Sequence, residues 1–293
     1  MKGRKDEQIR KTAIVIGGSS GIGRETALRL AARGAEVFSI ARTAADAERV
    51  RPITADASRE GELSKAIGNI CAETGGLDLL VYSAGYDFLA PAERTESADA
   101  RYLFEVNFFG AAEALRAAAP FLRARRGRAV FVSSMADETV IPYNAFYCAS
   151  KAALSMFART ADAELRSRGV RVSAILPGGT ATGFTYRRKV YGAEACGDAF
   201  AAVRRVEAAL AHEEQGGMQP ARVAEEIVRL SERRSPPAVK AAGGKNALSR
   251  TAMRLVPARF ADAFSRRKFA GRGKAAAEKV PLRKNRENIY ANA

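Results

Sequence analysis

The sequence predicts an α/β protein built on a doubly wound, parallel β-sheet. Short apolar runs alternate with stretches long enough to form helices, and glycines follow the first of these runs. Strands of a parallel sheet are buried on both faces and read as continuous apolar runs, while the intervening helices cover the sheet. With 293 residues, 47% of them hydrophobic, the chain can form one large domain of this kind or two small ones.

The predicted elements follow one another in βαβ order. We expect strands at residues 12–17, 36–41, 77–82, 129–133 and 171–176. Two long helices are expected, at 105–126, where Pro120 kinks or ends the regular part, and at 150–168, closed by Gly169. The alternation of both kinds of element predicts crossover connections between neighbouring parallel strands.

Composition argues against several classes of protein. No apolar run reaches the roughly 18 residues that a membrane span needs. The N-terminal segment MKGRKDEQIR is charged, unlike a secretory signal, so we expect a cytoplasmic protein. The three cysteines are far apart and there is a single histidine, so neither a disulfide framework nor a metal site is indicated.

A glycine-rich turn joins the first predicted strand to the helix that follows it. Residues 16–24 read I-G-G-S-S-G-I-G-R. Glycine tolerates positive φ and lets a ligand approach the backbone, and a helix N-terminus favours phosphate. The turn is therefore a candidate dinucleotide site of a Rossmann fold, although a plain tight turn is the alternative. The expected contacts are Gly17, Ser19, Ser20, Gly21, Ile22 and Gly23.

The end of the second predicted strand indicates which dinucleotide would bind. An acid at this place binds the ribose 2′-hydroxyl of NAD, whereas an arginine accommodates the 2′-phosphate of NADP. The sequence has Ala41 and then Arg42, with no acid before Asp46. We therefore expect NADP(H) to be preferred, with NAD(H) also accepted, unless Arg42 is only a solvated loop charge.

Tyr147 and Lys151 stand four residues apart, in Y-C-A-S-K. On a helix, positions i and i+4 share one face. A cation near a phenol favours its ionised form, so we expect Lys151 to lower the pKa of Tyr147. A tyrosine brought toward neutral pH is suited to general acid–base catalysis.

The glycine spacing and the Tyr-x-x-x-Lys pair together resemble the short-chain dehydrogenase/reductase family, over roughly residues 10–235. Further family motifs correspond to Asp56-Ala57, Tyr82-Ser83-Ala84-Gly85, Asn107, Ser134 and Pro177-Gly178-Gly179-Thr180-Ala181-Thr182. The departures are Ile16, where the family has threonine, and the Tyr82-Ser83 pair. They concern support of the turn and strand rather than proton transfer.

The resemblance implies a single Rossmann domain with a sheet of about seven strands, and it assigns the site. It implies catalytic Ser134, Tyr147, Lys151 and Asn107, with Ser133 a weaker rival to Ser134. Lys151 would also hold the nicotinamide ribose, and Asn107 a water that joins Lys151 to solvent. The remaining cofactor contacts would be Asp56, Ala57, Ser83, Ala84, Gly85, Tyr147, Pro177, Gly178, Thr180 and Thr182. The family is commonly dimeric or tetrameric, here through helices 105–126 and 150–168.

The substrate is expected to be a hydrophobic ketone or secondary alcohol. Residues 183–219 follow the Thr182 loop and contain several aromatics and the basic triplet Arg187-Arg188-Lys189, which suits a carboxylate or phosphate or is a solvated face. Weak candidates for substrate contact are Tyr143, Gly179 and Phe184. A hydroxysteroid or bile acid is the leading expectation, and a long-chain or ketosphingoid lipid is the alternative. A non-catalytic dinucleotide-sensing regulator is the alternative of another class.

The C-terminal part of the chain is strongly basic. Fourteen Lys and Arg against three acids give residues 240–293 a charge of +11, out of +16 for the chain. We divide the chain into a catalytic domain, 1–240, and a basic extension, 241–293. Within the extension, residues 249–269 are expected to form a basic amphipathic helix interrupted by Pro257. This helix would contact an anionic membrane, pack on the core or on a partner subunit, or line the substrate entrance. Residues 270–293 are expected to be disordered, and no nucleic-acid motif is present.

Overall fold

The computed structural model describes residues 11–43 and 47–270. Its strands are β1 (Thr12–Ile16), β2 (Glu36–Ala41), β3 (Val50–Thr54), β4 (Leu79–Tyr82), β5 (Phe88–Leu89), β6 (Arg128–Val132), β7 (Arg171–Leu176), β8 (Lys189–Val190) and β9 (Val239–Ala241). Seven of them form one sheet in the order β3-β2-β1-β4-β6-β7-β9, and every pairing in it is parallel. The predicted doubly wound parallel sheet is confirmed.

Helices connect the strands and cover both faces of the sheet. They are α1 (Gly21–Ala32), α2 (Glu62–Thr74), α3 (Ser97–Phe104), α4 (Gly110–Arg125), α5 (Ala145–Leu165), α6 (Phe184–Arg187), α7 (Ala193–Cys196), α8 (Phe200–Gln215), α9 (Pro220–Glu232), α10 (Gly244–Leu255) and α11 (Ala258–Ala270). A π-helical turn, Glu105–Phe109, joins α3 to α4. No helix within the described ranges is long and apolar enough to cross a membrane.

The core lies in two layers, one on each face of the sheet. On one face α1 and α9 cover residues such as Val15 and Val81, and on the other α2, α4 and α5 cover Ile14 and Leu80. Consecutive residues of a strand point to opposite faces, so Ile14 and Val15 enter different layers. This burial on both sides accounts for the unbroken apolar runs of the strands.

A third apolar cluster lies beyond the carboxyl ends of the strands. It contains Phe88 and Leu89 of β5, Val203 and Val206 of α8, and Phe269 of α11, all buried. We call β5, β8, α6–α8, α10 and α11 the cap. Because this cluster includes Phe269 of α11, part of the basic extension belongs to the folded cap.

Several elements differ from the sequence prediction. The sequence analysis missed strand β3, a partly exposed edge strand containing Pro52, and strand β9, which has three residues. The predicted boundary at 240 falls inside β9, and the next residue of this strand, Ala241, is buried against the core. Helix α5 begins earlier than predicted, and α4 continues through Pro120 instead of ending there.

The extension forms two helices on either side of Pro257, in agreement with the expected interruption. Helices α10 and α11 expose apolar side chains beside arginines, among them Leu248, Leu255 and Phe260. Membrane contact through this surface stays a prediction. The expected disorder of 270–293 concerns residues that lie, apart from Ala270, outside the described part of the chain.

Candidate active site

A cavity of about 1610 Å³ lies at the carboxyl ends of the strands, beneath the cap. This is where parallel α/β sheets bind their ligands. Most residues predicted from the sequence line it: Gly17, Ser19, Ser20, Gly21, Ile22, Arg42, Asp56, Ala57, Ser83, Ala84, Gly85, Ser134, Tyr147, Lys151, Pro177, Gly178, Gly179, Thr180, Thr182 and Phe184. Gly23, Asn107 and Tyr143 lie outside its lining.

The glycine turn is tightly packed against the end of β4. Gly17 has φ +80°, and a Cβ there would lie 2.5 Å from the backbone nitrogen of Ala84. A Cβ on Gly23 would lie 2.2 Å from the carbonyl oxygen of Gly17, so this position supports the turn from behind. Helix α1 starts at Gly21, and the side chain of its N-cap, Ser20, caps no backbone N–H. The turn therefore leaves backbone donors and free space at a helix N-terminus, which fits a dinucleotide pyrophosphate.

At the two departures from the family pattern, the backbone of Ile16 and the side chain of Tyr82 make local structural contacts. The carbonyl of Ile16 accepts a hydrogen bond from Ser83 N at 2.8 Å, which fixes the glycine turn beside β4. Tyr82 is fully buried, and its hydroxyl donates to Val106 O at 2.5 Å. Tyr82 thus ties the sheet to the π-helical turn that carries Asn107.

Two arginines lie at the glycine-turn end of the cavity. Arg42 follows β2 and donates from Nη1 to Tyr102 Oη at 3.0 Å. Arg187, which the sequence analysis did not connect with the cofactor, donates from Nη2 to Ser20 Oγ at 2.7 Å. Asp56 is nearly buried, and its carboxylate accepts from the amide and the hydroxyl of Ser58.

The catalytic candidates converge on one wall of the cavity. Tyr147 and Lys151 lie one turn apart on α5, and Lys151 Nζ is 5.6 Å from the centroid of the Tyr147 ring. Ser134 caps the short helix after β6, and its hydrogen bond with Tyr147 favours the phenolate. Ser133 instead donates to Lys151 O at 2.9 Å and accepts from Ser155 Oγ at 3.0 Å. Because the Ser133 hydroxyl is already used in these two buried hydrogen bonds, Ser134 is the better candidate for the serine that contacts a substrate.

The expected lowering of the Tyr147 pKa is not observed. Burial raises the pKa of Tyr147, the charge of Asp87 raises it further, and the bond to Ser134 opposes both only in part. Lys151 donates from Nζ to Val132 O at 3.1 Å, and its own pKa is lowered to about 8 by burial. Desolvation of the phenol, which the sequence does not show, therefore outweighs the cation one turn away.

Asn107 and Tyr143 support the site from outside the cavity. Both N–H groups of the buried Asn107 amide are used, by Tyr86 O at 2.9 Å and Ser150 Oγ at 3.0 Å, and its Oδ1 accepts from Tyr86 N at 2.7 Å. Asn107 thus fixes the loop after Gly85. Tyr143, which has φ +62°, packs against the apolar cluster of the cap and not on the cavity wall that was expected.

The basic triplet of the sequence separates into three different environments. Arg187 reaches Ser20, whereas Lys189 pairs with Asp99 at 2.6 Å. Arg188 is buried with a side chain only 3% exposed; its Nε donates to Asp87 Oδ2 at 2.5 Å and its Nη2 to Glu214. The sequence analysis missed this ion-paired cluster. The only feature of the sequence that indicated it was the basic triplet, residues 187–189.

Helix α10 covers the cavity next to the catalytic serine. Arg250 pairs with Glu138 at 2.7 Å, and Arg254 pairs with the same carboxylate. Glu138 follows the short helix capped by Ser134, so these pairs attach the extension to the catalytic loop. The cavity residues contributed by the extension are Asn246, Ser249, Met253, Phe264, Ser265, Lys268 and Phe269.

A doubly wound parallel sheet, a glycine turn at its first helix and a Ser–Tyr–Lys group define a nicotinamide-dependent dehydrogenase or reductase. Residues 11–190 match the model of the short chain dehydrogenase family, which is more than half of the chain, and the protein belongs to this family. It is therefore an oxidoreductase that acts on CH–OH groups with a nicotinamide cofactor.

Three proteins similar in sequence to this chain have different named activities. A 3-ketodihydrosphingosine reductase of Bacteroides thetaiotaomicron is 28% identical over 232 residues, which are 76% of this chain and 84% of that protein. The NADPH-dependent 1-acyldihydroxyacetone phosphate reductase of Saccharomyces cerevisiae is 33% identical over 62% of this chain and 65% of its own. The 11-beta-hydroxysteroid dehydrogenase type 2 of Homo sapiens is 34% identical over 57% of this chain and 45% of its own.

Solved structures show the same fold. A short-chain dehydrogenase from Streptomyces avermitilis superimposes with a TM-score of 0.71 and 26% identity. The match covers 88% of this chain and 97% of that one.

Proposed function

We propose that the protein is an NADP(H)-dependent oxidoreductase that interconverts a hydrophobic ketone and the corresponding secondary alcohol. The observation that carries this proposal is the convergence of Ser134, Tyr147 and Lys151 on one wall of a large cavity. The opposite side of the cavity is formed by the cap, with apolar residues such as Phe200, Met253 and Phe264.

The residues of this chain have separate roles in the proposed reaction. When bound, the nicotinamide supplies or accepts the hydride. Tyr147 donates its phenolic proton to the substrate carbonyl oxygen in reduction, and Ser134 hydrogen-bonds the same oxygen. Because burial raises the pKa of Tyr147, the phenol is protonated at neutral pH, which suits reduction. Lys151, which is a cation below its pKa of about 8, stabilises the negative charge left on the phenol when the proton leaves.

The preference for NADP(H) is supported by charge at the glycine-turn end of the cavity. Arg42 directly follows β2, where an acid would be expected for NAD, and it lines the cavity. The yeast relative is NADPH-dependent by name. NAD(H) is proposed as the weaker cofactor.

Two classes of substrate are supported. A hydroxysteroid or bile acid matches the apolar cavity and the human relative. A long-chain ketone of the ketosphingoid kind matches the Bacteroides relative, whose alignment includes 76% of this chain. The long-chain class is the second candidate, favoured by a polar cluster inside the cavity that a steroid skeleton does not require.

We also propose a homodimer or homotetramer formed through α4 and α5. Phe109 is 52% exposed at the start of α4, and Met156 is 56% exposed on α5. Large apolar side chains on neighbouring helices are a common feature of subunit interfaces. Size-exclusion chromatography with light scattering, with Met156→Glu as the variant, tests this assembly. A monomeric wild type would contradict it.

The activity is tested with a panel of ketosteroids and long-chain ketones. NADPH consumption is followed by absorbance and the alcohol product by mass spectrometry, for the wild type and for Tyr147→Phe. We expect the wild type to reduce at least one class and the variant to reduce the same ketone about 10²–10⁴-fold more slowly. NADPH binding without turnover of any ketone would overturn the proposal and favour a dinucleotide-sensing regulator.

A further inference from the structure

Three buried side chains in the cavity carry polar atoms without a partner among residues 11–43 and 47–270. These atoms are Asp87 Oδ1, Asn144 Oδ1 and Arg188 Nη1. Asp87 and Asn144 are each 2% exposed, and the Arg188 side chain is 3% exposed. All three residues line the cavity.

The three side chains form one cluster. Arg188 Nε donates to Asp87 Oδ2 at 2.5 Å, and Asn144 Nδ2 donates to the same oxygen at 3.5 Å. An unpaired buried polar group is destabilising, so three such groups on side chains joined through Asp87 are unusual. Of the other buried atoms without a hydrogen-bond partner in the described residues, Arg128 Nε, Asp137 Oδ1 and Arg250 Nε belong to residues outside the cavity lining. Glu213 Oε2 belongs to a lining residue but forms an ion pair with Lys268 Nζ at 2.8 Å.

The charges of the cluster exclude an anionic group. Arg188 is placed between two carboxylates, those of Asp87 and Glu214. Its positive charge is therefore already compensated, and a carboxylate or phosphate would meet two acids. The expectation that the basic triplet binds an anion on the substrate does not hold for Arg188.

The unpaired atoms match a ligand group that both donates and accepts hydrogen bonds. Asp87 Oδ1 and Asn144 Oδ1 are acceptors, and Arg188 Nη1 is a donor. A ketone oxygen satisfies only the donor, and an ammonium satisfies only the acceptors. A hydroxyl donates to an acceptor and accepts from the guanidinium at once.

The cluster lies close to the catalytic tyrosine. Asn144 comes three residues before Tyr147, which is less than one helical turn of about 5.4 Å along the α5 axis. Asp87 is two residues after Gly85, and its charge acts directly on both Tyr147 and Lys151. A group bound here belongs to the part of the substrate next to the reacting carbon.

We propose that Asp87, Asn144 and Arg188 form a subsite that binds a substrate hydroxyl within a few bonds of the reacting carbonyl. The inference rests on the proposed oxidoreductase function and narrows its substrate to hydroxyketones and the matching diols. It favours a ketone with a polar head and a long chain over a steroid that carries no hydroxyl near its carbonyl.

The test compares two matched substrates. A long-chain ketone with a hydroxyl on the carbon next to the carbonyl, and its deoxy analogue, are reduced with NADPH by the wild type, Asn144→Ala and Asn69→Ala. Asn69 is exposed on α2, away from the cavity, and is the matched control. We expect wild type and control to prefer the hydroxyketone by about ten-fold or more in kcat/KM, the factor expected for one hydrogen bond. Asn144→Ala should lose this preference, because its kcat/KM should fall much more with the hydroxyketone than with the deoxy ketone.

A second variant keeps the test independent of folding defects. Arg188→Lys retains the charge between Asp87 and Glu214 but removes the Nη1 donor, so it should also lose the preference. Equal wild-type kcat/KM for both ketones, or an equal loss on both in the variants, would overturn the subsite while leaving the oxidoreductase function intact. Reduction of an amino ketone in preference to the hydroxyketone would overturn the hydroxyl assignment. Failure to reduce either ketone, with steroids reduced instead, would also reject the subsite, and failure with every ketone would reject the proposed function itself.

Discussion

Lys151 Nζ lies 5.6 Å from the centroid of the Tyr147 ring and donates to the carbonyl of Val132 at 3.1 Å. The ammonium is therefore directed to the end of β6, while the phenol is desolvated. Burial moves the two pKa values in opposite directions, upward for Tyr147 and down to about 8 for Lys151. Both shifts favour the neutral form of each group, and a protonated phenol is the form that reduction requires.

Replacing Tyr147 should remove the proton donor without removing the cofactor site. We expect Tyr147→Phe to lower kcat for ketone reduction by about 10²–10⁴-fold, the usual contribution of a general acid. The thermal shift produced by NADPH should be unchanged, since the variant keeps the ring. Tyr143→Phe is the matched control, because Tyr143 lies outside the cavity lining, and it should keep its activity. Comparable turnover in both variants would reject Tyr147 as the acid.

The buried ammonium of Lys151 should appear in the pH dependence of stability. Its pKa is lowered from 10.5 to about 8, so between these values the unfolded chain binds more protons than the folded one. The contribution of Lys151 to the free energy of unfolding therefore rises with pH between about pH 8 and 10.5. From pH 7 to 10, the unfolding free energy of the wild type should gain about 2.5 kcal/mol relative to Lys151→Met. Urea unfolding at both pH values measures the difference, and a constant difference would contradict the burial of a titrating ammonium.

Arg42 and Arg187 should affect the two cofactors differently. Arg42→Ala should weaken NADPH by about ten-fold or more and NADH little, because only NADPH has the 2′-phosphate and a charged hydrogen bond contributes about 1.5–3 kcal/mol. Arg187→Ala should weaken both alike, since Arg187 contacts Ser20 at the N-terminus of α1, where the shared pyrophosphate is expected. Titration calorimetry with each cofactor gives the four affinities. An equal loss of both cofactors in Arg42→Ala would show that Arg42 does not discriminate between them.

The sequence predicted the motif side of the site because each motif follows a strand. The carboxyl ends of parallel strands lie at one edge of the sheet. Gly17, Ser134 and Pro177 therefore lie near one another at this edge, independently of the conformation of the connecting loops. The same reasoning predicted the order of the elements. Strand β3 was missed because only one of its five residues is fully buried and because it includes Pro52, and a partly exposed edge strand gives no continuous apolar run.

The polar cluster could not be predicted from the sequence. Arg188 and Asp87 are 101 positions apart, and no local pattern links them. Nor does the sequence distinguish the buried Arg188 from its neighbour Arg187, which faces the glycine turn. The sign of the Tyr147 pKa shift was missed for a similar reason, since desolvation depends on the cap that closes over the phenol.

The glycine turn makes a steric prediction about Gly23. A Cβ there would lie 2.2 Å from Gly17 O, so Gly23→Ala must displace the turn. We expect a loss of about 1–3 kcal/mol in unfolding free energy, typical of overpacking, together with weaker NADPH binding. Gly68→Ala is the control: Gly68 lies within α2, a Cβ at this position would have no atom within 4 Å, and alanine should stabilise that helix by about 0.5–1 kcal/mol. Chemical denaturation of both variants separates the two effects, and a stable, NADPH-binding Gly23→Ala would contradict the turn geometry.

Glu138 should control how firmly α10 covers the cavity. Its carboxylate pairs with Arg250 and Arg254, and in the described part of the chain no other residue pairs with both arginines. Glu138→Gln should therefore speed amide hydrogen exchange within Gly244–Leu255 and raise KM more than it lowers kcat, because α10 lines the cavity but touches none of the proton-transfer groups. Glu225→Gln is the control, since Glu225 pairs with Arg33 and Arg229, neither of which lies on α10, and should leave α10 unaffected. Unchanged exchange in α10 of Glu138→Gln would mean that apolar contacts, and not these ion pairs, hold the extension over the site.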